Sequence, residues 1–252
     1  MIDIRSLRLG CEYQSLVKAD TRETVGYEAL ARFTDENGEK IAPDIVFEHI
    51  HVTHALLGQI EQQAKEFQLN WAPMGHMLFI NLDPHAVTPE NKQQLFNMLS
   101  ANPLVTVEII ENICVNDANE AIALVKELNQ LGIPTALDDV GAPNTMLSLE
   151  LLGQVNSIKF DLSWLSRTHV PHHRHMLQSL IQFAKLSGKT TILEGVEHET
   201  QFQLAQQLGI DLVQGFLFKD RFITPPKTIP LLFDQALFSE PDCLMMPQQL
   251  LS

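Results

Sequence analysis

The chain has 252 residues, 45% hydrophobic and 19% charged, which is too apolar for a disordered chain and enough for one large α/β domain or two small ones. Its 17 Lys and Arg against 31 Asp and Glu give a net charge of −14, which excludes a protein that grips DNA or RNA polymers through a basic surface. An anionic ligand would need neutralising by something other than lysines, and a metal site built from carboxylates is one answer. Cys11, Cys114 and Cys243 form no Cys-x-x-Cys pair, the N-terminal MIDIRSLRLG lacks the apolar centre of a signal peptide, and no apolar run approaches the roughly 18 residues that span a bilayer. A cytoplasmic protein with reduced thiols and no membrane segment is expected.

Short apolar runs rich in Val, Ile, Leu and Phe predict strands at Glu12–Val17, Val25–Arg32, Met77–Leu82, Val105–Ile110, Thr135–Asp138, Ser157–Asp161, Thr191–Glu194 and Leu212–Phe216. Helical patterns lie between most of them. Thr88 as N-cap with Pro89 in the first turn opens one, and Asn116 or Asp117 opens the next, followed by Ala121, Leu124, Val125 and Leu128 at helical spacing. Three helices stop at Gly132, Gly188 and Gly209, each followed at once by a strand. Repeated helix–Gly–strand units with eight strands point to a (β/α)8 barrel, although an open doubly wound sheet satisfies the same periodicity. Only Lys18–Thr24 separate the first two strands, too few for a parallel crossover, so these two should pair antiparallel through a hairpin. From Ile223 to Ser252 the chain reads as a tail that wraps the barrel or meets a partner, which divides it into 1–222 and 223–252.

The unusual feature is polar residues at the strand ends. Glu28 lies inside Gly26–Arg32, with Leu30 and Arg32 on the same face by the period of two; Asn81, Glu108, the pair Asp138-Asp139, Lys159 with Asp161, Glu194 with Glu197, and Gln214 follow on later strands. A single carboxylate at such a position is ordinarily a satisfied strand terminus or a helix cap. In a barrel, however, the C-terminal strand ends converge on one rim, and five or more carboxylates there cannot all stay ionised without cations. Oxygen donors plus an Asn amide suit Mg²⁺ or Mn²⁺, and adjacent aspartates suit a pair of ions of the kind that hydrolyse phosphate esters.

Glu28-Ala29-Leu30-x-Arg32, followed in order by Phe79-Ile80-Asn81-Leu82, Glu108-x-x-Glu111, Leu137-Asp138-Asp139, Ile158-Lys159-x-Asp161, Glu194-Gly195-Val196-Glu197 and Gln214-Gly215, resembles the EAL domain family over roughly residues 10–220. That family contains the bacterial phosphodiesterases that open cyclic di-GMP to linear pGpG in biofilm and motility signalling, and its fold is a TIM-like barrel with one antiparallel strand. The resemblance implies that Glu28, Asn81, Glu108 and Asp138 hold one ion and that Asp138 bridges to a second held with Asp139. Glu194 and Glu197 would complete the ligand set of the second ion or poise the attacking water, with the two roles undivided. Lys159 would position that water and the scissile phosphate. Gln14, Leu30, Arg32, Asp161 and Gln214 would face the substrate, and Glu111 would anchor the loop that starts at Asp139. It also implies a homodimer and a sensory or regulatory partner, so that 252 residues are either a stand-alone protein or an excised domain.

The sequence departs from the family in that loop, where Asp139-Val140-Gly141-Ala142-Pro143-Asn144-Thr145-Met146 replaces Asp-Phe-Gly-Thr-Gly-Tyr-Ser-Ser. Pro143 fixes φ where the family has Gly, so metal affinity or dimerisation could differ. Two functions stay open: a working phosphodiesterase, or a catalytically silent EAL domain acting as a cyclic di-GMP sensor or protein-interaction module. His169, His172, His173 and His175 read as surface, because no Cys is near and the spacing is irregular. His51 and His54 read as one helical face at the surface or at a partner contact, and Trp71 and Trp164 as packing residues.

Overall fold

The computed structural model describes residues 2–51, 53–110, 115–143, 145–233 and 245–246. Eight strands form the barrel: β1 (Arg8–Lys18), β2 (Thr24–Thr34), β3 (Met77–Asn81), β4 (Val105–Ile110), β5 (Thr135–Val140), β6 (Ser157–Phe160), β7 (Thr190–Leu193) and β8 (Leu212–Val213). β2 to β8 pair parallel in sequence order, and β1 closes the ring by pairing antiparallel with both β2 and β8. The closed barrel with one reversed strand therefore replaces the open sheet that periodicity alone left standing. The strand positions agree with the sequence reading, except that β1 and β2 run 11 residues each and β8 only two.

Eight helices are described: α1 (Pro43–Ile50), α2 (His54–Asn70), α3 (Lys92–Ser100), α4 (Val115–Gln130), α5 (Leu149–Gln154), α6 (Ser163–Arg167), α7 (Pro171–Leu186) and α8 (Glu199–Leu208). The helix expected from Thr88 begins at Lys92 instead. Residues 89–91 form a turn in which Asn91 accepts from the Thr88 N–H and the Lys92 N–H donates to Thr88, so the capping pattern is real but opens a turn before the helix. α4 is already helical at Val115, ahead of Asn116 or Asp117. Gly132, Gly188 and Gly209 take φ of 72, 67 and 74°, the left-handed region that ends a helix where a side chain would be strained.

Alternation along the strands sorts the core into two bodies. Val105, Val107 and Ile109 point out to the helix layer, where the spaced Ala121, Leu124, Val125 and Leu128 of α4 are also buried. Leu16, Phe79, Ala136, Ile192 and Leu212 form a small separate cluster that plugs the barrel interior. Glu28, Glu108 and Lys159 register beside Phe79, Ala136 and Ile192 respectively, so charged side chains share the inward face with this plug. Beyond β8, Ile223 bridges Tyr13 and Ile229–Pro230 pairs antiparallel with Arg8 and Leu9 of β1, while Met245–Met246 pairs with Ile2–Asp3. Among the described residues no helix is long and apolar enough to cross a membrane.

Candidate active site

Lys159 of β6 is fully buried, and its Nζ lies 2.8 Å from Glu108 Oε1, 2.8 Å from Asp138 Oδ1, 2.8 Å from Glu194 Oε1 and 3.3 Å from Glu28 Oε2. These groups come from β2, β4, β5, β6 and the residue after β7, so barrel closure alone brings them together. One ammonium cannot balance four carboxylates in a buried space, and the electrostatics divide accordingly. Burial disfavours the charge of Lys159, but the surrounding carboxylates outweigh it and hold the ammonium well above its usual range. Burial, joined by the charge of Glu28, pushes Glu108 well above the carboxylate range. Glu194 and Asp138 rise for the same first reason despite Lys159. Glu28 goes the other way: burial opposes its ionisation, yet Lys159 and the Gln214 and Asn81 amides hold it low. Gln214 Nε2 donates to Glu28 Oε2 at 2.6 Å and Asn81 Nδ2 to Glu28 Oε1 at 2.8 Å.

Consecutive residues on a regular strand point to opposite faces, so Asp138 and Asp139 should not both serve one site. A bulge resolves this. Leu137 registers with Ile158 and Val140 with Phe160, three steps against two, and Asp139 takes φ of 55°. Both carboxylates then line the same hollows, and burial together with the charge of Asp138 pushes Asp139 up to about 6. Glu28, Glu108 and Asp138 each offer an oxygen within 4.8 Å of the others; so do Asp138, Asp139 and Glu194, with Asp138 common to both sets. Oxygen donors in excess of the available positive charge fit hard divalent cations.

Two hollows open above this centre, of about 350 and 360 Å³, and Glu28, Leu30, Asp138 and Asp139 line both. Gln14, Glu197, Gln214 and the exposed Phe216 line the second; Arg32 and Asn81 line the first. Arg32 is held by Glu12, whose Oε1 accepts at 2.7 Å from it and at 3.0 Å from Gln14. Asp161 stands apart from the hollows, accepting from the Ser163 N–H at 2.9 Å. Glu111, Asn144, Cys114 and Cys243 lie outside the described residues. Sequence reasoning passed over Glu12, and also Glu61, Lys65 and Gln68, which lie at helical spacing on the buried face of α2 and line the first hollow. The spacing of those three was visible, but polar residues on an inward face carry no apolar signal.

The loop after Asp139 is pinned from below. Trp164 Nε1 donates to Val140 O at 2.8 Å, Arg167 donates to Gly141 O, and a Cβ at Gly141 (φ 85°) would sit 2.5 Å from the indole nitrogen. Trp164 is thus a buried packing residue, whereas Trp71 is 38% exposed and rests its ring against Phe67. His169, just ahead of α7, and His172 and His175 in its first turns are exposed, as expected, whereas His173 between them is half-buried. His51 and His54 do not share a helix: His51 caps the end of α1 and His54 opens α2.

The family model of the EAL domain matches residues 2–220. The chain belongs to the EAL domain family. The EAL chain is 25% identical to the signaling protein YkoW of Bacillus subtilis over 94% of its own residues and 30% of that protein. It is also 25% identical to the cyclic di-GMP phosphodiesterase TpdA of Vibrio parahaemolyticus, over 83% of its residues and 36% of that protein. Klebsiella pneumoniae BlrP1, solved with manganese and cyclic di-GMP, is similar with a TM-score of 0.70 at 25% identity, covering 87% of this chain and 56% of that one. The chain spans only 26–32% of the length of the first curated relatives it matches.

Proposed function

We propose that this EAL domain hydrolyses cyclic di-GMP to linear pGpG with two divalent ions, Mg²⁺ or Mn²⁺, in the bacterial cytoplasm, lowering the messenger that governs biofilm and motility. The observation that carries this reading is the charge imbalance at the rim, where four carboxylates surround one buried ammonium and Asp138 belongs to two clusters of oxygen donors. Glu28, Asn81, Glu108 and Asp138 would hold one ion, and Asp138, Asp139 and Glu194 or Glu197 the other. Such ions supply an acidified water and neutralise phosphoryl oxygens.

The chain's own groups do the rest. Gln214 and Asn81 keep Glu28 ionised and aimed by occupying one oxygen each. Lys159, drawing on the same carboxylates, holds them in register and presents positive charge to the water and the phosphate. Glu197, exposed at the second hollow, would take a proton from water, a reading supported by Glu194 being bound to Lys159. Gln14, Leu30, Arg32 and Asp161 would orient the substrate, Glu111 would steady the Asp139 loop, and a second copy of the chain or a sensory partner would act through that loop. The altered loop favours the competing reading of a silent cyclic di-GMP sensor.

Purified protein incubated with cyclic di-GMP and Mg²⁺ or Mn²⁺ is expected to release the linear dinucleotide, and Glu28→Ala to lower the rate at least a hundredfold. Substrate binding without product in either ion would establish the sensor and overturn the enzyme. Full activity in Glu28→Ala would overturn the site assignment.

A further inference from the structure

A second polar cluster lies outside the rim. His51 caps α1, Asp83 follows β3 by two residues, and His85 lies in the 3-10 turn Pro84–Ala86. His51 Nε2 is 3.3 Å from Asp83 Oδ2, and His85 Nδ1 is 3.1 Å from Asp83 Oδ1. One ligand atom from each of the three lies within 4.8 Å of the others.

We propose that His51, Asp83 and His85 form a separate site for a borderline divalent transition-metal ion such as Zn²⁺. Two imidazoles and a carboxylate are the donor set such ions prefer, in contrast to the all-oxygen rim, which suits Mg²⁺. With metal–ligand bonds of about 2.0–2.2 Å, donors at tetrahedral corners stand about 3.3–3.6 Å apart, and the His51 and His85 nitrogens lie 3.3 and 3.1 Å from the two oxygens of one carboxylate, that of Asp83. The surroundings are those of a built site. His85 Nε2 faces Glu120 Oε2 at 3.4 Å, so a carboxylate can accept a hydrogen bond from the N–H of the nitrogen that does not bind the ion and fix the tautomer. Asp83 Oδ1 also accepts from the His85 N–H at 2.9 Å, which sets the carboxylate. Asp83 and His85 are 22% and 16% exposed, so the groups are half-shielded yet reachable, and His85 and Glu120 line an open hollow of about 350 Å³. The carbonyl end of α1, where His51 sits, adds negative potential. His172 and His173 have rings 4.3 Å apart but belong to no such cluster of donors among the described residues. An ion at His51, Asp83 and His85 would tie the C-terminal end of α1 to the segment that follows β3.

The test is equilibrium dialysis of the full chain against Zn²⁺ in millimolar Mg²⁺, which keeps the oxygen rim occupied. The expected result is one Zn²⁺ per chain that is lost in His51→Ala/His85→Ala, retained in Asp138→Asn, and bound about ten- to a hundredfold more weakly in Glu120→Gln. Zn²⁺ at a hundred times its Kd should also raise the unfolding temperature of the wild type by about 5–10 °C, but not that of the double variant. Because His51 is exposed at a helix end, His51→Ala alone is the check if the double variant does not fold, and it too must weaken Zn²⁺ binding. Unchanged binding in both His variants, or loss only in Asp138→Asn or His172→Ala, overturns the proposal.

Discussion

Asp139 carries two unfavourable conditions at once, a left-handed backbone and a carboxyl pushed up to about 6 from an ordinary 3.8. A carboxyl whose folded pKa is raised binds more protons in the native state than in the unfolded one. Without metal it therefore stabilises the fold less as pH climbs from about 4 through 6. Asp139→Asn mimics the protonated form at every pH. In chelator, scanning calorimetry should show its unfolding temperature gaining on the wild type across that window and holding the gain above it; a difference that shrinks with rising pH would contradict the assignment. The adjacent aspartates were readable in the sequence, but the bulge that turns both to one side was not, because it exists only as a register between β5 and β6. Glu12 was missed for a related reason: its partner Arg32 is twenty residues away and meets it only once β1 and β2 pair.

At the scale of elements, α2 holds a further polar trio against the barrel. Lys65 and Glu61 pair one turn apart while almost fully buried, and Gln68 Nε2 donates to Ala29 O at 2.8 Å as its own carbonyl accepts from the Tyr13 hydroxyl. Burial raises the Glu61 carboxyl even with Lys65 beside it. Lys65→Ala leaves that carboxyl without its partner and should cost about 3–5 kcal/mol in urea unfolding, whereas Lys65→Met with Glu61→Leu should lie near the wild type or above it. Equal losses in both would show that packing, not charge, dominates. The long apolar periodicities made the helices legible and the glycine caps fixed where several end. The start of α3 was displaced by a turn, because Thr88-Pro89 satisfies the rules of a helix cap and of a tight turn equally well. His51 and His54 were read on one face for want of any signal that the helix breaks between them.

For the whole molecule, the net charge of −14 sets the long-range field that an anionic ligand meets. On the proposed function, a rim saturated by divalent ion would leave the remaining acidic surface repelling the anionic substrate. Raising monovalent salt from about 50 to 200 mM shortens the Debye length from roughly 14 to 7 Å and should increase kcat/KM up to severalfold. A steep decrease would mean that a basic steering surface exists. The barrel itself was legible because connection lengths constrain strand direction: the five residues between β1 and β2 permit only a hairpin, and the later crossovers are long enough for parallel pairing.

The reversal of β1 also fixes where the polypeptide is threaded. In an all-parallel barrel the first strand begins at the floor, away from the chemistry. Here Arg8 registers with Thr34, beyond Glu28 toward the open end of β2, so β1 descends from the rim that holds the candidate site. The returning segment Ile229–Pro230 binds the same corner, against Leu9 and Arg8. The backbone that enters and leaves the barrel is thus joined at one corner to the β1–β2 ribbon that carries Gln14, Glu28 and Arg32.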